Sequence, residues 1–93
     1  MPPTSTGAAA GHKPETRRKA SLEIRRRLAE QVRHRRDRLG LTQKELAIAC
    51  GLNGKYIAQV EQALLNVTLS TLEALAKGLG CSESALLSPR ARK

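Results

Sequence analysis

The sequence predicts an all-α fold, arranged as one compact domain of five helices. Apolar residues recur at steps of three and four from residue 21 to residue 87, which is the period of a helix. Ser, Thr or Asn precedes each periodic segment, and Gly follows three of the segments, as helix starts and ends favour. No segment predicts a strand. A chain of 93 residues is too short for two independent cores.

The first helix is predicted to begin after Ser21 and to end at Gly40. Its apolar stripe includes Arg36, and a charge that faces a core is tolerated only when it is paired. Because Glu61 flanks the stripe of the third helix, we expect a partly buried salt bridge between Arg36 and Glu61. The alternative is that each side chain extends into water. The stripe consists of Ile24, Leu28, Val32, Arg36 and Leu39.

The second helix is predicted to start at an N-cap, Thr42, with Glu45 three residues later completing a capping box. Ala47 is small, which favours a close approach of two helix backbones. Gly51 supplies the positive φ that ends a helix. The buried face of this helix consists of Leu46, Ala47 and Cys50.

The third helix is predicted to follow the N-cap Asn53, with Ile57, Val60 and Leu64 on one face. Two short helices joined by a turn that contains Gly form a helix-turn-helix. The second helix of such a pair lies in the major groove of DNA.

Two further helices complete the predicted domain. Thr68 caps the fourth, and Ser82 caps the fifth, which stops before Pro89. Their apolar residues are Leu69, Leu72, Leu75, Ala76 and Leu79 in the fourth helix and Ala85, Leu86 and Leu87 in the fifth.

The net charge of +9 favours a polyanionic partner, nucleic acid first and an anionic membrane second. Residues 1–38 hold 11 of the 17 Lys and Arg residues, and Arg90, Arg92 and Lys93 form a cationic end. Such a charge run alone is often a solvated helix face, but a neighbouring helix-turn-helix favours nucleic acid. We expect a disordered basic arm over 1–19, the DNA-binding domain over 20–88 and a basic tail over 89–93. The arm could contact phosphates or enter a minor groove, or it could be a flexible basic tail with only a nonspecific influence.

Several classes of function are disfavoured by the composition. Cys50 and Cys81 lack metal-ligand spacing, and no secretory signal is present, which favours reduced thiols in the cytoplasm. No apolar run approaches the length of a membrane span. The single aromatic residue, Tyr56, disfavours base-stacking platforms. His12 and His34 have no paired carboxylates or nucleophile nearby, so we expect no enzyme, no metal and no cofactor; His34 could contact DNA when protonated.

The chain resembles the phage-repressor family of helix-turn-helix proteins (Cro-like, XRE-type) from about Leu28 to Leu87. The resemblance rests on Leu39-Gly40-Leu41-Thr42-Gln43 with Leu46-Ala47, on Gly51-Leu52, on Tyr56-Ile57 with Glu61, and on Asn66 with Thr68-Leu69 and Leu72. The last element, with Gly80 and Leu86-Leu87, looks like restriction–modification controller proteins. The resemblance implies a lambda-repressor-like fold and a dimer that binds an inverted repeat in double-stranded DNA.

Carried onto this sequence, the resemblance implies that Gln43 bonds a phosphate and braces the third helix. It implies that positions 54, 55 and 59 face base edges, and that Asn66 approaches the DNA backbone. The family's paired Arg and Glu fall on Arg36 and Glu61. The predicted DNA-binding residues are Gln43, Asn53, Gly54, Lys55, Tyr56, Gln59, Gln62 and Asn66.

These residues differ in how well their chemistry suits the implied contacts with bases and phosphates. Lys55 can donate to guanine or reach a phosphate instead, and Gln59 can pair with adenine. Gly54 offers only its backbone N–H, which suits a phosphate. Tyr56 is expected to give its hydroxyl to a phosphate, with core packing as the alternative. Gln62 is a phosphate contact or a solvated helix end.

The segment after the third helix departs from the family pattern. Ala63 stands where Gly usually ends the helix, and Leu64 and Leu65 follow where polar residues are common. The helix could therefore run longer, which would weaken the role of Asn66, or another surface could cover the leucines. We expect Leu64 to pack within the domain and leave Leu65 open as a partner contact.

The sequence therefore predicts a sequence-specific DNA-binding transcriptional regulator, a repressor or autoregulator that acts as a homodimer. The alternative is an antitoxin that binds a toxin and regulates its own operon. The predicted dimer surface consists of Leu79, Ala85, Leu86 and Leu87, although the domain's own core could use most of it.

Overall fold

A computed structural model describes residues 21–90, and these residues form five α-helices without a strand, which confirms the all-α prediction. The predicted arm over 1–19 and residues 91–93 of the predicted tail lie outside the described residues. The helices are α1 (Leu22–Leu39), α2 (Gln43–Cys50), α3 (Gly54–Glu61), α4 (Leu69–Leu79) and α5 (Glu83–Leu87).

Each helix begins at the residue that the sequence predicts as its N-cap. The side chain of every cap accepts a hydrogen bond from a backbone N–H in the first turn, which satisfies a donor that the helix leaves unpaired. At α2 the capping box is complete, since Glu45 also accepts from the backbone N–H of Thr42 at 2.8 Å. The caps are Ser21, Thr42, Asn53, Thr68 and Ser82.

The core lies where α1 packs against α3, α4 and α5, and where α2 packs against α3 and α4. Its centre is aliphatic and contains no aromatic side chain, because partly buried Tyr56 only packs against its edge. The buried cluster consists of Leu28, Val32, Leu46, Ala47, Ile57, Val60, Leu72, Leu75, Ala76, Leu79 and Leu86.

The inward face of α1 is narrower than the predicted stripe. Ile24 and Leu39, at the two ends, are exposed, whereas Ala29 and Gln31 are buried beside the central residues. The Gln31 amide donates to the carbonyl of Ser88 at 2.9 Å, which ties α1 to the end of α5. Both ends of α1 extend beyond the neighbouring helices, so the helical period of Ile24 and Leu39 does not by itself determine whether they are buried.

Two of the four residues in the predicted dimer surface contribute to the domain's own core. Leu86 is fully buried and Leu79 is 6% exposed, which agrees with the alternative that the domain's own core uses most of this surface. Their burial follows from the packing of α5 across α1 and α4. Ala85 and Leu87 are only partly buried.

Helices α2 and α4 meet at Gly78, a contact that the sequence analysis did not predict. A Cβ at this position would overlap Cys50 Sγ and contact the backbone of Ala49. Burial at this contact raises the pKa of the Cys50 thiol. Glycine inside a helix weakens it, and here it allows the close approach of α4 to the helix-turn-helix.

Helix α3 ends at Glu61 and does not run on. Ala63 takes the left-handed conformation, with a φ of 62°. The N–H of Leu64 donates to the carbonyl of Gln59 at 3.1 Å, and the N–H of Ala63 donates to that of Val60 at 3.0 Å. These two bonds form a Schellman motif, which usually has glycine at the left-handed residue.

This ending corrects the expectation for the two leucines. The helix turns away before Leu64, which is 52% exposed and does not pack within the domain. Leu65 instead packs against the core. The left-handed turn rotates the chain so that the second leucine, and not the first, faces inward.

A bidentate ion pair joins α1 to the end of α3. Arg36 Nε donates to Glu61 Oε2 at 2.6 Å and Nη2 donates to Oε1 at 3.0 Å, while Nη1 donates to the carbonyl of Leu41 at 2.8 Å. The Glu61 side chain is 1% exposed and that of Arg36 is 14% exposed. Gln43 also donates to Glu61 Oε1, at 3.0 Å. The pair predicted from the sequence is therefore present, and it connects α1, the start of α2 and α3.

The charge state of Glu61 depends on these partners. Burial raises the pKa of the carboxyl, but the hydrogen bonds from Arg36 and Gln43 and the positive charges of Arg36 and Arg33 bring it below its ordinary value. The bond to Glu61 correspondingly raises the pKa of Arg36, against the opposing effect of burial. Both groups are held in their charged forms.

Replacing Ala63 with Gly should stabilise the domain, by up to about 1 kcal/mol, because glycine carries no Cβ penalty in the left-handed region. The measurement is the free energy of unfolding in urea. Ala74→Gly, the same change within helix α4, is the matched control and should cost about 1 kcal/mol. Equal losses in the two variants would contradict the account of strain at Ala63.

Arg36→Ala and Glu61→Ala should each lower the free energy of unfolding by about 3 kcal/mol, since each leaves a buried charge unpaired. The double variant should lose little more than either single one. The exposed Glu23–Arg27 pair on α1, at 3.0 Å, offers a control cycle with coupling below about 0.5 kcal/mol. Additive losses at Arg36 and Glu61 would contradict the pairing.

Acid should weaken the fold partly through Glu61. Because the folded pKa lies below the unfolded value, the unfolded chain binds more protons near pH 4.5, and stability present at neutral pH is lost as the pH falls through the folded pKa. Urea unfolding between neutral and acidic pH checks this. Glu61→Gln should flatten the acid-side slope, and an unchanged slope would contradict the assignment.

Candidate nucleic-acid interface

The N-terminus of α3 is held firmly and is open to solvent. Asn53 is exposed, and its side-chain oxygen accepts from the backbone N–H of Tyr56 at 2.8 Å. This bond uses the oxygen and leaves the amide N–H groups of Asn53 available to other acceptors. A Cβ at Gly54 would lie 3.6 Å from Lys44 Cα, an ordinary contact, so space alone does not require glycine there.

Lys55 and Gln59 lie one turn apart on the same face of α3. Ile57 and Val60 occupy the opposite face and are buried in the core. Lys55 is exposed and Gln59 is partly exposed, and within residues 21–90 neither side chain forms a hydrogen bond or ion pair. The geometry therefore leaves the two predicted base readers available to a ligand.

Tyr56 and Gln62 differ in their surroundings. The Tyr56 ring is partly buried and packs against the core, so the packing alternative accounts for at least part of its role. Gln62 is exposed at the C-cap of α3, where its backbone N–H donates to carbonyls of the last turn.

Gln43 is the first residue of α2 and lies beside the end of α3. One of its amide N–H groups donates to Glu61, so the side chain braces α3 against α2. An amide carries two N–H groups, and the second is available for a phosphate. The bracing that the resemblance implied is thus a direct contact with the buried carboxylate.

Asn66 is exposed in the segment between α3 and α4. Because α3 ends at Glu61, Asn66 stays in this loop and does not become part of a longer α3. Residues 43, 53–55, 59 and 66 belong to three different parts of the chain: the start of α2, the first turns of α3 and the loop before α4.

Arg33 is a candidate that the sequence analysis did not single out. It lies one turn before Arg36 on α1, with Nε 3.7 Å from Glu61 Oε1, and its side chain is 62% exposed. The sequence could have indicated this position, because Arg33 precedes Arg36 by three residues and residues at that spacing share a helix face. Arg33 places an accessible positive charge close to α3.

His34 lies on a different side of α1 from Arg33. Burial lowers its pKa, and so do the charges of Arg90, Arg38 and Arg35, while Asp37 opposes them. The ring is therefore held towards its neutral form, which disfavours the expectation that it contacts DNA as a cation.

Two other findings bear on the class of site. Within residues 21–90, no group of three or more His, Cys, Asp and Glu side chains is arranged to hold a metal ion. None of the helices formed by these residues is long and apolar enough to cross a membrane.

Several known proteins are similar to this chain in sequence or in structure. A family model described as a helix-turn-helix domain matches residues 27–87. Control protein C.SmaI of Serratia marcescens is 44% identical over 72 residues, which are 77% of this chain and 86% of that protein.

Two solved structures agree with the fold. The hypothetical transcription factor NHTF from Neisseria matches with a TM-score of 0.70 and 39% identity, over 72% of this chain and 75% of its own. The restriction-modification controller protein C.AhdI from Aeromonas hydrophila matches with a TM-score of 0.64 and 31% identity, over 67% and 94%. The chain therefore belongs to the helix-turn-helix family of DNA-binding transcription regulators of the XRE type, with restriction–modification controller proteins among its relatives.

Proposed function

We propose that this protein is a sequence-specific regulator that reads an inverted-repeat operator as a homodimer, with α3 of each subunit in the major groove. The observation that supports this most directly is the pair of exposed Lys55 and partly exposed Gln59 on a helix whose other face is buried. The ion pair of Arg36 with Glu61 holds that helix at a fixed angle to the domain.

Each proposed contact follows from the position of its donor. Lys55 donates to guanine O6 and N7 or to a phosphate, and Gln59 pairs with adenine N6 and N7. Backbone N–H groups at Gly54, where α3 begins, suit a phosphate.

Other donors lie at the start of α2, at the two ends of α3 and in the loop after it, and they suit the DNA backbone, which sets register and not sequence preference. These proposed backbone contacts are Gln43, Asn53, Tyr56, Gln62 and Asn66.

A second copy of the chain fits an apolar surface beside α4. Leu69 is 83% exposed and borders a cavity of about 140 Å³ lined largely by apolar side chains. That volume resembles the ~150 Å³ that accepts a benzene molecule in an engineered core. A two-fold axis would let each Leu69 enter the partner's cavity, since both features belong to one self-complementary surface. Ile24, Leu65, Val67 and Leu87 line the cavity.

Relatives suggest the biological setting. C.SmaI is called a control protein, and C.AhdI is called a restriction-modification controller protein. We infer a role of the same kind, in which the protein occupies a promoter in the cytoplasm and represses or autoregulates transcription. No contact among residues 21–90 favours the antitoxin alternative.

Lys55→Ala and Gln59→Ala should change which sequences are selected from random duplexes. Loss of a bidentate pair should reduce preference for the contacted base by about 1–3 kcal/mol. Lys77→Ala, an exposed lysine on α4, controls for lost charge and should leave the preferred sequence unchanged. A uniform loss of affinity for Lys55→Ala would assign that residue to a phosphate, and unchanged preference in both variants would refute base reading by this face.

Leu69→Glu should convert a dimer into a monomer, because it places a charge in the proposed apolar contact. Sedimentation at tens of micromolar measures this directly. Ile48→Glu is the matched control, since Ile48 is equally apolar and highly exposed but lies on α2. A monomeric parent protein, or an unaffected Leu69 variant, would argue against this surface.

A further inference from the structure

A cluster of cations lies on the side of α1 that faces away from α3. Arg36 points towards Glu61, and Arg38 follows two residues later. At about 100° per residue, two steps place Arg38 on the opposite side of the helix from Arg36. His34 precedes Arg36 by the same interval. These side chains are therefore remote from Lys55 and Gln59.

The cations of this cluster converge from two elements. The charges of Arg35, Arg38 and Arg90 all act on His34, so α1 and the segment after α5 bring them close together. Within residues 21–90, none of the three arginines forms an ion pair, and Arg35 alone has a side-chain bond, to Gln31 at 3.2 Å.

Among the described residues, the acids beside this cluster form no ion pair with its arginines. Glu30 lines a hollow with Arg90 but is not paired with it. Asp37 is 3.4 Å from Arg36 and is largely exposed. Like charges held together without partners repel one another, and an anion would relieve that repulsion.

The surface at the cluster is concave and partly apolar. Arg35 and Arg38 line two adjoining hollows of about 240 Å³ each. One hollow is completed by Leu39, which is 53% exposed, and by Leu79, while Pro89 and Arg90 help to line the other. A ligand in these hollows would contact arginine guanidinium groups and an aliphatic side chain within one helical turn.

We propose that this cationic groove, formed by Arg35, Arg38, Leu39 and Arg90, binds an acidic peptide segment of another protein that carries a leucine-like side chain beside its carboxylates. Guanidinium groups bind carboxylates through paired hydrogen bonds. Duplex DNA also offers anions, but its sugar-phosphate backbone presents no leucine-like side chain to Leu39, and hollows of this size admit single side chains and not a duplex. The peptide matches both the charge and the apolar wall.

The test uses the full chain and a fluorescent peptide of alternating Asp-Glu pairs and Leu residues, with binding followed by anisotropy. The double variant Arg38→Gln/Arg90→Gln should weaken binding by about tenfold or more. Lys44→Gln/Lys77→Gln removes the same charge from exposed positions on α2 and α4 and should change binding by less than about twofold. Leu39→Ser should weaken binding of this peptide but not of a peptide with Ser in place of Leu.

Three results would overturn the proposal. The first is no binding of the peptide at millimolar concentration. The second is an equal loss in the Lys44/Lys77 control, which would show a general charge effect. The third is a loss of affinity for random duplex DNA in the Arg38/Arg90 variant but not in the control, together with displacement of the peptide by that duplex. Thermal unfolding of each variant, followed by circular dichroism, verifies that the exposed substitutions leave the fold intact.

Discussion

The buried carboxylate of Glu61 is the constraint on which the arrangement of this domain depends. A charge with a side chain 1% exposed is costly unless partners surround it. Arg36 supplies two hydrogen bonds from α1, and Gln43 supplies one from the first residue of α2. Because both partners must reach the same carboxylate, Glu61 sets the position of three helices relative to one another.

This constraint links the fold to the recognition surface. Glu61 is the last residue of α3, and the exposed side chains Lys55 and Gln59 lie on the same helix. Any rotation of α3 would stretch the bonds to Glu61 at one end and disturb the packing of Ile57 and Val60 along the other face. The reading surface that we propose is thus rigid because of groups that never face the ligand.

Local rules account for most of what could be predicted from the sequence. Helix caps such as Thr42 depend on a few neighbouring residues, so their positions were predictable, as was the pairing of Arg36 with a buried acid. Burial at the ends of helices was not, because it depends on how far the adjacent helices extend. Leu64 and Leu65 exchanged roles since a single left-handed residue, Ala63, rotates the chain between them.

About as much of the candidate site as of the fold could be predicted from the sequence. The face that carries Lys55 and Gln59 follows from helical period and family resemblance together. The contact of Gly78 with Cys50 could not be foreseen, because it depends on the angle between α2 and α4. The rotation of α1, which decides the directions of its arginines, is likewise a property of the packed domain.

The division of α1 into two charged sides has a consequence for how strongly the protein responds to ionic strength. Binding to DNA releases roughly one condensed counterion for each phosphate that a cation neutralises. The net charge of +9 counts every cation of the chain, but Arg38 faces away from Arg36 and from α3. The steepness of the salt dependence therefore reports the cations that reach phosphates, and without those on the far side of α1 their number is smaller than the total charge suggests.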